Sequence, residues 1–517
     1  MKYFLGIDFG TGGAKACITD TEMNILSYSF QEYEIIIQKP GWSEHDPENY
    51  WKLTKYLISE CIKKGKISPK DIAAIATSSA LPAMVMVDKK GNTINNAYNL
   101  LDRRAKEEVQ WVSQTVGTGK IFDITGNRLE DHPVIINLLW EKRHRPDSFK
   151  KIHKVYTIDS FIKNKLTGIS NINYTQGAYY GVAYDIRNNS FNPAILNMIG
   201  IDASILPEVT HSEAVIGQIT QQAALECGLV AGIPVTAGQG DAMAGWLGAG
   251  AIYPGDIQIN LGSVGVIGIV HKNSHFLDTM INAAYTVPGT FVVIAATNTG
   301  GLLIRYMRDN FAHLETAVEK LTGINAYKML DMQAEKIRAG SEGLITLPYF
   351  MGEKTPIWDT FAKGVLFGLT LNHSKGHVLR SMMEGVAYAL HDSFILLKKK
   401  IKVINYPAVF NEGGVVSKVW REIITDVLDI PTVLVKNRVG APYGDCLLAA
   451  KATGFIKDYS ITREKAQYIE PMEPQKRNNE LYMEYFELYK KVYISLKERF
   501  IELDALKDNF EEYKTES

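Results

Sequence analysis

The stretch Tyr3-Phe4-Leu5-Gly6-Ile7-Asp8-Phe9-Gly10-Thr11-Gly12-Gly13-Ala14-Lys15-Ala16-Cys17-Ile18 decides how the chain is read. An apolar run, a glycine-rich break and a second apolar run predict a β-hairpin with an open backbone at its tip. Glycine lets such a tip turn successive N–H groups onto a phosphate and lets the phosphate come close. Gly10, Thr11, Gly12 and Gly13 are therefore candidate phosphate contacts, and Lys15 adds a positive charge beside them. Asp8, at the end of the first strand, is a candidate ligand for magnesium, directly or through water. An ordinary tight hairpin is the competing reading. A dinucleotide fingerprint is excluded, because Lys15 stands where the third glycine belongs and a strand follows, not a helix.

Residues 257–270 repeat the pattern as Ile-Gln-Ile-Asn-Leu-Gly-Ser-Val-Gly-Val-Ile-Gly-Ile-Val. Asn260 falls on Asp8, Gly262 on Gly10 and Ser263 on Thr11. Two such hairpins, half a chain apart, predict two like-folded halves, each offering a phosphate turn to a shared cleft. Chance likeness of two glycine-rich hairpins is the alternative.

Between them lies Gly238-Gln239-Gly240-Asp241-Ala242-Met243-Ala244-Gly245, after the apolar Ile233 to Ala237 and before a small-residue segment ending at Ala251. Strand, then glycines, then helix places Asp241 at a junction with room for another molecule. A carboxylate there can accept a proton from a substrate hydroxyl. A helix-capping aspartate is the competing reading.

Composition bounds the classes. A chain of 517 residues predicts two or more domains. Lys+Arg total 56 and Asp+Glu 57, a formal net charge of -1, so a general nucleic-acid or membrane surface is not expected. Cys17, Cys61, Cys227 and Cys446 are far apart, which argues against a disulfide framework or thiolate metal site and fits a reducing compartment. Neither a signal peptide nor a bilayer-length apolar run is evident. The expectation is a soluble, cytoplasmic protein.

Elsewhere, Trp51 to Lys64 and Thr157 to Gly168 read as helices, the second with a glycine stop. Ile72 to Ile75 and Met84 to Val87 read as strands around Thr77-Ser78-Ser79-Ala80-Leu81-Pro82-Ala83. Asp102 with Arg103 either binds hydroxyls or begins a helix. Thr299-Gly300-Gly301 opens a helix, a natural anion contact. Gly413-Gly414, ahead of a helix through Ser417 and Trp420, gives a further point of backbone access. Tyr482, Tyr485, Tyr489, Tyr493, Leu496 and Phe500 recur at helical spacing and predict a packing stripe. The charged tail after Leu506 predicts a solvated end.

The hairpin Asp8-Phe9-Gly10-Thr11 and the Gly238-Gln239-Gly240-Asp241 turn together resemble the FGGY carbohydrate kinases. So do Gly352-Glu353-Lys354-Thr355-Pro356, the segment Gly414 to Arg421, and Gly364-Val365-Leu366-Phe367-Gly368-Leu369 followed by His377 to Glu384. The likeness runs over residues 3–455 and is nearest to xylulokinase-like members, on Lys165-Leu166-Thr167-Gly168 and Thr355-Pro356. It implies an α/β fold of two actin-like ATPase (ribonuclease H-like) domains flanking a cleft. Residues 1–250 would hold the sugar site and first phosphate turn, 251–480 the nucleotide site, and 481–517 a C-terminal helix and tail.

The resemblance further implies ATP and Mg2+ as cofactors. Asp241 is then the catalytic base and Asp8 the metal-directed carboxylate. Gly10 to Gly13, Lys15, Gly262, Ser263, Thr299, Gly300, Gly301, Gly413, Gly414 and Ser417 face the nucleotide. Leu81, Pro82, Asp102, Arg103 and Asp241 face a small sugar or polyol, with D-xylulose as the leading pentulose; a homodimer is compatible with this reading. The departures concern substrate: Ala80-Leu81-Pro82-Ala83 stands where xylulokinases carry Gln-Met-His-Gly, and Leu100 replaces a tryptophan. Asn137 replaces a lysine, and Gly13 and Val264 replace hydroxyl residues in the two turns. Another ketose or polyol is the first alternative, and a non-catalytic nucleotide switch on the same scaffold the second.

Overall fold

The computed structural model describes residues 1–411, 413–436 and 439–515, with side chains described to residue 506. Its contacts divide into two compact units. The first comprises Met1–Ile252, Lys272–Val292 and Asn437–Gln467, the second Tyr253–His271, Val293–Lys436 and Tyr468–Ser517.

In the first unit, β1 (Tyr3–Phe9), β2 (Gly13–Asp20) and β3 (Ile25–Glu32) form an antiparallel meander. Helix α1 (Pro47–Gly65) follows, its start capped by Asp46. Strand β4 (Ile72–Ser79) returns parallel to β1. Helix α2 (Ile158–Thr167) ends on Gly168 in the left-handed conformation that favours glycine. Then come β5 (Val215–Gln218), β6 (Pro234–Thr236) and the two-residue β7 (Gln239–Gly240). The sheet order is β5-β6-β4-β1-β2-β3, with β7 running on along β4. Helix α3 (Asp241–Gly248) follows β7 directly.

In the second unit the sheet is rebuilt from β8 (Asp256–Leu261), β9 (Gly265–His271), β10 (Phe291–Thr297), β11 (Asn405–Asn411), β12 (Thr432–Val435) and β13 (Tyr468–Met472). Their order is β10-β9-β8-β11-β12-β13. An antiparallel hairpin at the centre, two parallel neighbours and an antiparallel edge repeat the first unit strand for strand. Two copies of one topology account for the repeated hairpin in the sequence. Helices α4 (Gly301–Phe311), α5 (Ala326–Glu335), α6 (Lys375–Lys400) and α7 (Lys418–Leu428) belong to this unit.

Two further helices complete the units. Helix α8 (Ala441–Ala452) is buried along Ala441 to Ala450 and belongs with the first unit, as does 272–292. An all-round apolar helix is stable only when covered on every side, and β1, β4 and α3 cover this one. Helix α9 (Lys476–Thr515) belongs with the second unit, where Tyr482, Tyr489, Tyr493 and Phe500 are buried. The helical backbone runs on to Thr515, so the tail after Leu506 continues a helix, while its side chains lie outside the described residues.

Alternation along β1 decides what each face meets. Leu5, Ile7 and Phe9 join Leu57 and Ile58 of α1 in one core, whereas Phe4 joins Leu447 and Leu448 of α8 in another. Gly6 and Asp8 share the face of Phe4. A Cβ on Gly6 would lie 2.0 Å from Pro442 O, so only glycine admits α8 this close.

Candidate active site

Asp8 lies at the buried end of β1, 1% exposed. Its Oδ1 accepts the Ser78 hydroxyl at 3.0 Å, and its cross-strand partner Lys15 brings Nζ to 3.8 Å from Oδ2. Burial raises the Asp8 carboxyl above its ordinary range, against the pull of Lys15 and Ser78. A buried, incompletely compensated carboxylate of hard oxygen donors fits a divalent cation such as magnesium.

The hairpin tip divides its glycines by role. Gly10 N donates to Gly13 O at 2.9 Å, and the Tyr33 hydroxyl donates to Gly10 O. A Cβ on Gly12 would meet nothing within 4 Å, so this position is open to an approaching group. A Cβ on Gly13 would lie 2.5 Å from the Phe30 ring and 2.8 Å from Gln31 O. Gly13 is thus required by packing, whereas none of the described residues requires glycine at position 12 for space.

The turn before α3 is fixed from several sides. Gly238 has φ +81°, and a Cβ there would lie 2.4 Å from Thr77 O. Gly240 N donates to Thr175 Oγ1 at 2.9 Å, and Asn173 Nδ2 to Ala237 O at 3.2 Å. Lys163, fully buried, donates to Ala237 O and pairs with Asp159 Oδ2 at 3.1 Å. Burial lowers the Lys163 pKa, with Asp159 opposing. Asp241 itself is half-buried at the first position of α3, after an N-cap supplied by Gly240. Its Oδ1 accepts Ala242 N at 2.7 Å.

The proposed sugar residues separate. Leu81 borders the Asp241 turn, its Cδ1 3.0 Å from where a Gly240 Cβ would stand, and Pro82 is buried. Asp102 is 0% exposed, and its oxygens accept hydrogen bonds from its neighbours. Arg104 Nε and Nη2 donate to it at 2.9 and 2.7 Å, and Ser43 N at 2.8 Å. Arg104 is held there between the Trp42 and Tyr98 rings, 3.9 and 3.8 Å from their centroids, and donates to Glu44 at 2.6 Å. Arg103 points elsewhere, its Nη1 3.4 Å from Asp131 Oδ1.

One feature that the sequence reading passed over ties Asp8 to the Asp241 turn. Ser78 Oγ lies 2.7 Å from Asp445 Oδ2, and Gln239 Nε2 donates to Asp445 Oδ1 at 3.0 Å. Burial pushes the Asp445 carboxyl well above the usual carboxylate range, against these two hydrogen bonds. A lone aspartate inside the apolar run Ala441 to Ala450 was the available signal.

The second unit holds a cavity of about 930 Å³, within the range of small-molecule sites. Gly262, Ser263, Gly301, Gly413, Gly414 and Ser417 line it. A Cβ on Gly414 would lie 2.6 Å from Leu261 O, whereas one on Gly413 would meet nothing within 4 Å. Ser417 caps α7 through Trp420 N and donates to Asp331 Oδ1 at 2.9 Å. Burial raises Asp331 to about 6. Asn325, Tyr327 and Asp331 of the α5 region add a wall that no motif in the sequence announced.

The start of α4 is tied to the turn after β8. Gly300 N and Leu302 N donate to Ser263 O at 2.9 and 3.1 Å, and Gly301 N to Gly262 O at 2.7 Å. These amides brace the Gly262-Ser263 turn. The Thr299 hydroxyl is likewise spent on Pro348 O.

Comparison with known proteins places this geometry. Residues 3–248 match the N-terminal domain, and residues 258–453 the C-terminal domain, of the FGGY family of carbohydrate kinases. The chain is similar to a xylulose kinase of Bacillus subtilis (strain 168), 27% identical over 516 residues, 98% of this chain and 100% of that one. It is also similar to a gluconokinase of the same organism, 24% identical over 464 residues and 90% of each chain. The crystal structure of xylulose kinase from Rhodospirillum rubrum matches with a TM-score of 0.86 at 26% identity, covering 96% of this chain and 100% of that one. With both family domains present in order on an actin-like α/β scaffold, the chain belongs to the FGGY family of carbohydrate kinases and is an ATP-dependent sugar kinase.

Proposed function

We propose that the chain transfers the γ-phosphoryl group of ATP to a hydroxyl of a pentulose such as D-xylulose, in the cytosol, with Asp241 as general base. The observation that carries this reading is the mounting of Asp241. A half-buried carboxylate opens a helix at the end of a braced, glycine-bearing turn, in the same unit as the buried Asp8. Likeness to xylulose kinases over nearly the full length of both chains supports the pentulose.

In this reading Asp241 accepts the proton of the attacking hydroxyl as the new P–O bond forms and ADP leaves. Asp8 would hold magnesium, which when bound neutralises charge on the transferring phosphate. Gly10 N closes the hairpin tip onto Gly13 O, and Thr11 and Gly12 within that tip, with Gly262-Ser263, offer backbone N–H groups to phosphates. Gly413, Gly414 and Ser417 line the nucleotide side, and Thr299 to Gly301 hold the second turn in shape. Leu81 and Pro82 give the sugar an apolar wall, and Arg103 is the polar group nearest in sequence to the engaged Asp102.

The apolar Ala80-Leu81-Pro82-Ala83 favours one second reading, a different ketose, polyol or sugar acid, since a pocket without matching donors discriminates hydroxyls differently. ADP release measured against D-xylulose, other ketoses, polyols and gluconate decides between them. Stimulation by D-xylulose above all others supports the pentulose; turnover indifferent to every sugar overturns the kinase mechanism in favour of a nucleotide switch.

A further inference from the structure

Asp445 is fully buried within the otherwise apolar run Ala441 to Ala450 of α8, and the chemistry above does not use it. Its two oxygens have different partners. Oδ2 lies 2.7 Å from Ser78 Oγ, which lies 3.0 Å from Asp8 Oδ1. Oδ1 accepts Gln239 Nε2 at 3.0 Å, and Gln239 Oε1 in turn accepts the Thr286 hydroxyl at 2.5 Å. Ser78 has one proton and stands between two carboxyl groups. Both contacts are satisfied when Asp445 donates to Ser78 and Ser78 donates to Asp8.

The backbone around Asp445 has no slack. A Cβ on Gly444 would lie 1.9 Å from Ala244 O in α3, and one on Gly6 would lie 2.8 Å from Asp445 Cβ. Helix α8 therefore rests directly on the strand that carries Asp8 and on the helix that begins at Asp241.

We propose that Asp445 is a positioning residue for phosphoryl transfer, fixing Asp8 through Ser78 and the Asp241 turn through Gln239. This rests on the roles given above to Asp8 and Asp241. It assigns a function to α8 that goes beyond packing: the helix sets the spacing of two carboxylates that lie far apart in the chain.

The test compares Asp445→Asn, Asp445→Leu, Ser78→Ala, the double variant Ser78→Ala/Asp445→Leu, and Asp8→Asn. Asparagine can donate to Ser78 through Nδ2 and accept from Gln239 through Oδ1, so kcat stays within about threefold of wild type. Leucine fills the space without either bond and leaves the buried Gln239 Nε2 without this acceptor, so kcat falls roughly 10- to 100-fold, the loss expected when a buried polar group loses its partner. The Mg2+ concentration for half-maximal rate rises, and the sugar KM holds. Paramagnetic resonance of Mn2+ with a non-hydrolysable ATP analogue gives a readout apart from turnover, and Mn2+ binding weakens in Asp445→Leu.

Ser78→Ala cuts the arm to Asp8 and raises the Mg2+ requirement as Asp445→Leu does, while leaving the Gln239 arm intact. The double variant is less impaired than the product of the two single losses, because both break the same Asp445–Ser78 contact. If Asp445→Leu does not fold, Ser78→Ala and Asp445→Asn carry the test alone. Unchanged kcat and Mg2+ requirement in Ser78→Ala, or full loss in a folded Asp445→Asn, overturns the proposal. Asp8→Asn separates the levels. If it keeps a normal Mg2+ requirement, the role of Asp8 fails and this inference with it. If it is impaired while Asp445→Leu and Ser78→Ala are not, only this inference fails.

Discussion

Lys163 Nζ stands 3.1 Å from Asp159 Oδ2, with neither side chain exposed to solvent. This ion pair lies directly behind the turn that leads to Asp241. The ammonium also donates to Ala237 O, and Asp159 Oδ1 accepts the hydroxyls of Ser79 and Thr157 at 3.0 and 2.8 Å. A buried pair of this kind contributes little net stability against an apolar replacement, but losing one partner strands the other charge.

Lys163→Met should therefore destabilise the protein by about 3–5 kcal/mol, the range for breaking a buried pair from one side. Chemical denaturation measures it. Lys163→Met/Asp159→Leu should recover part of the loss, since no charge is then stranded. A single variant as stable as wild type would show that the pair is dispensable.

Asp241→Asn should melt normally and lose kcat by ~10²–10⁴-fold, the contribution of a positioned base. Because Gly240 supplies the N-cap, a stability effect from lost capping is not expected. Coupled ADP-release kinetics and a thermal melt decide together. Near wild-type turnover would leave Asp241 a structural residue.

The tip glycines should part company. Gly12→Val adds a side chain where nothing lies within 4 Å, so melting holds while ATP affinity by calorimetry falls. Gly13→Ala drives a methyl to 2.5 Å from the Phe30 ring, so the melting temperature falls. Equal ATP affinity in Gly12→Val would remove the phosphate reading of this tip.

Glu353 forecasts a pH dependence. Burial raises its carboxyl to about 7, although Thr297 Oγ1, Asn298 N and Lys354 N donate to it at 2.6, 3.1 and 2.7 Å. Unfolded, a glutamate titrates near ~4.3. The folded state therefore binds this proton more tightly. Its stabilisation is complete below the unfolded value and is lost as pH rises through about 7. Stability curves of wild type and Glu353→Gln, measured from pH 4 to 8, should converge or cross as pH rises, with wild type losing on the order of a few kcal/mol relative to the variant. A constant difference across that window would contradict the raised value.

The sequence by itself determined the elements and their faces. Apolar runs broken by glycine marked both hairpins, and period-two alternation placed Asp8 on the face of Phe4 and Gly6. The family motifs lie in single short stretches, so they too were legible. Tertiary structure alone decided which polar group each of these residues meets. Asp102 meets Arg104, which is clamped between two rings and turns back onto it. The amides opening α4 are occupied by the carbonyls of a turn almost forty positions earlier. Ser78 and Asp445 meet across 367 positions of chain. Local periodicity fixes a residue's conformation and the side it presents. A buried donor or acceptor is satisfied by whatever the packed fold brings within about 3 Å, and that depends on segments no local pattern connects.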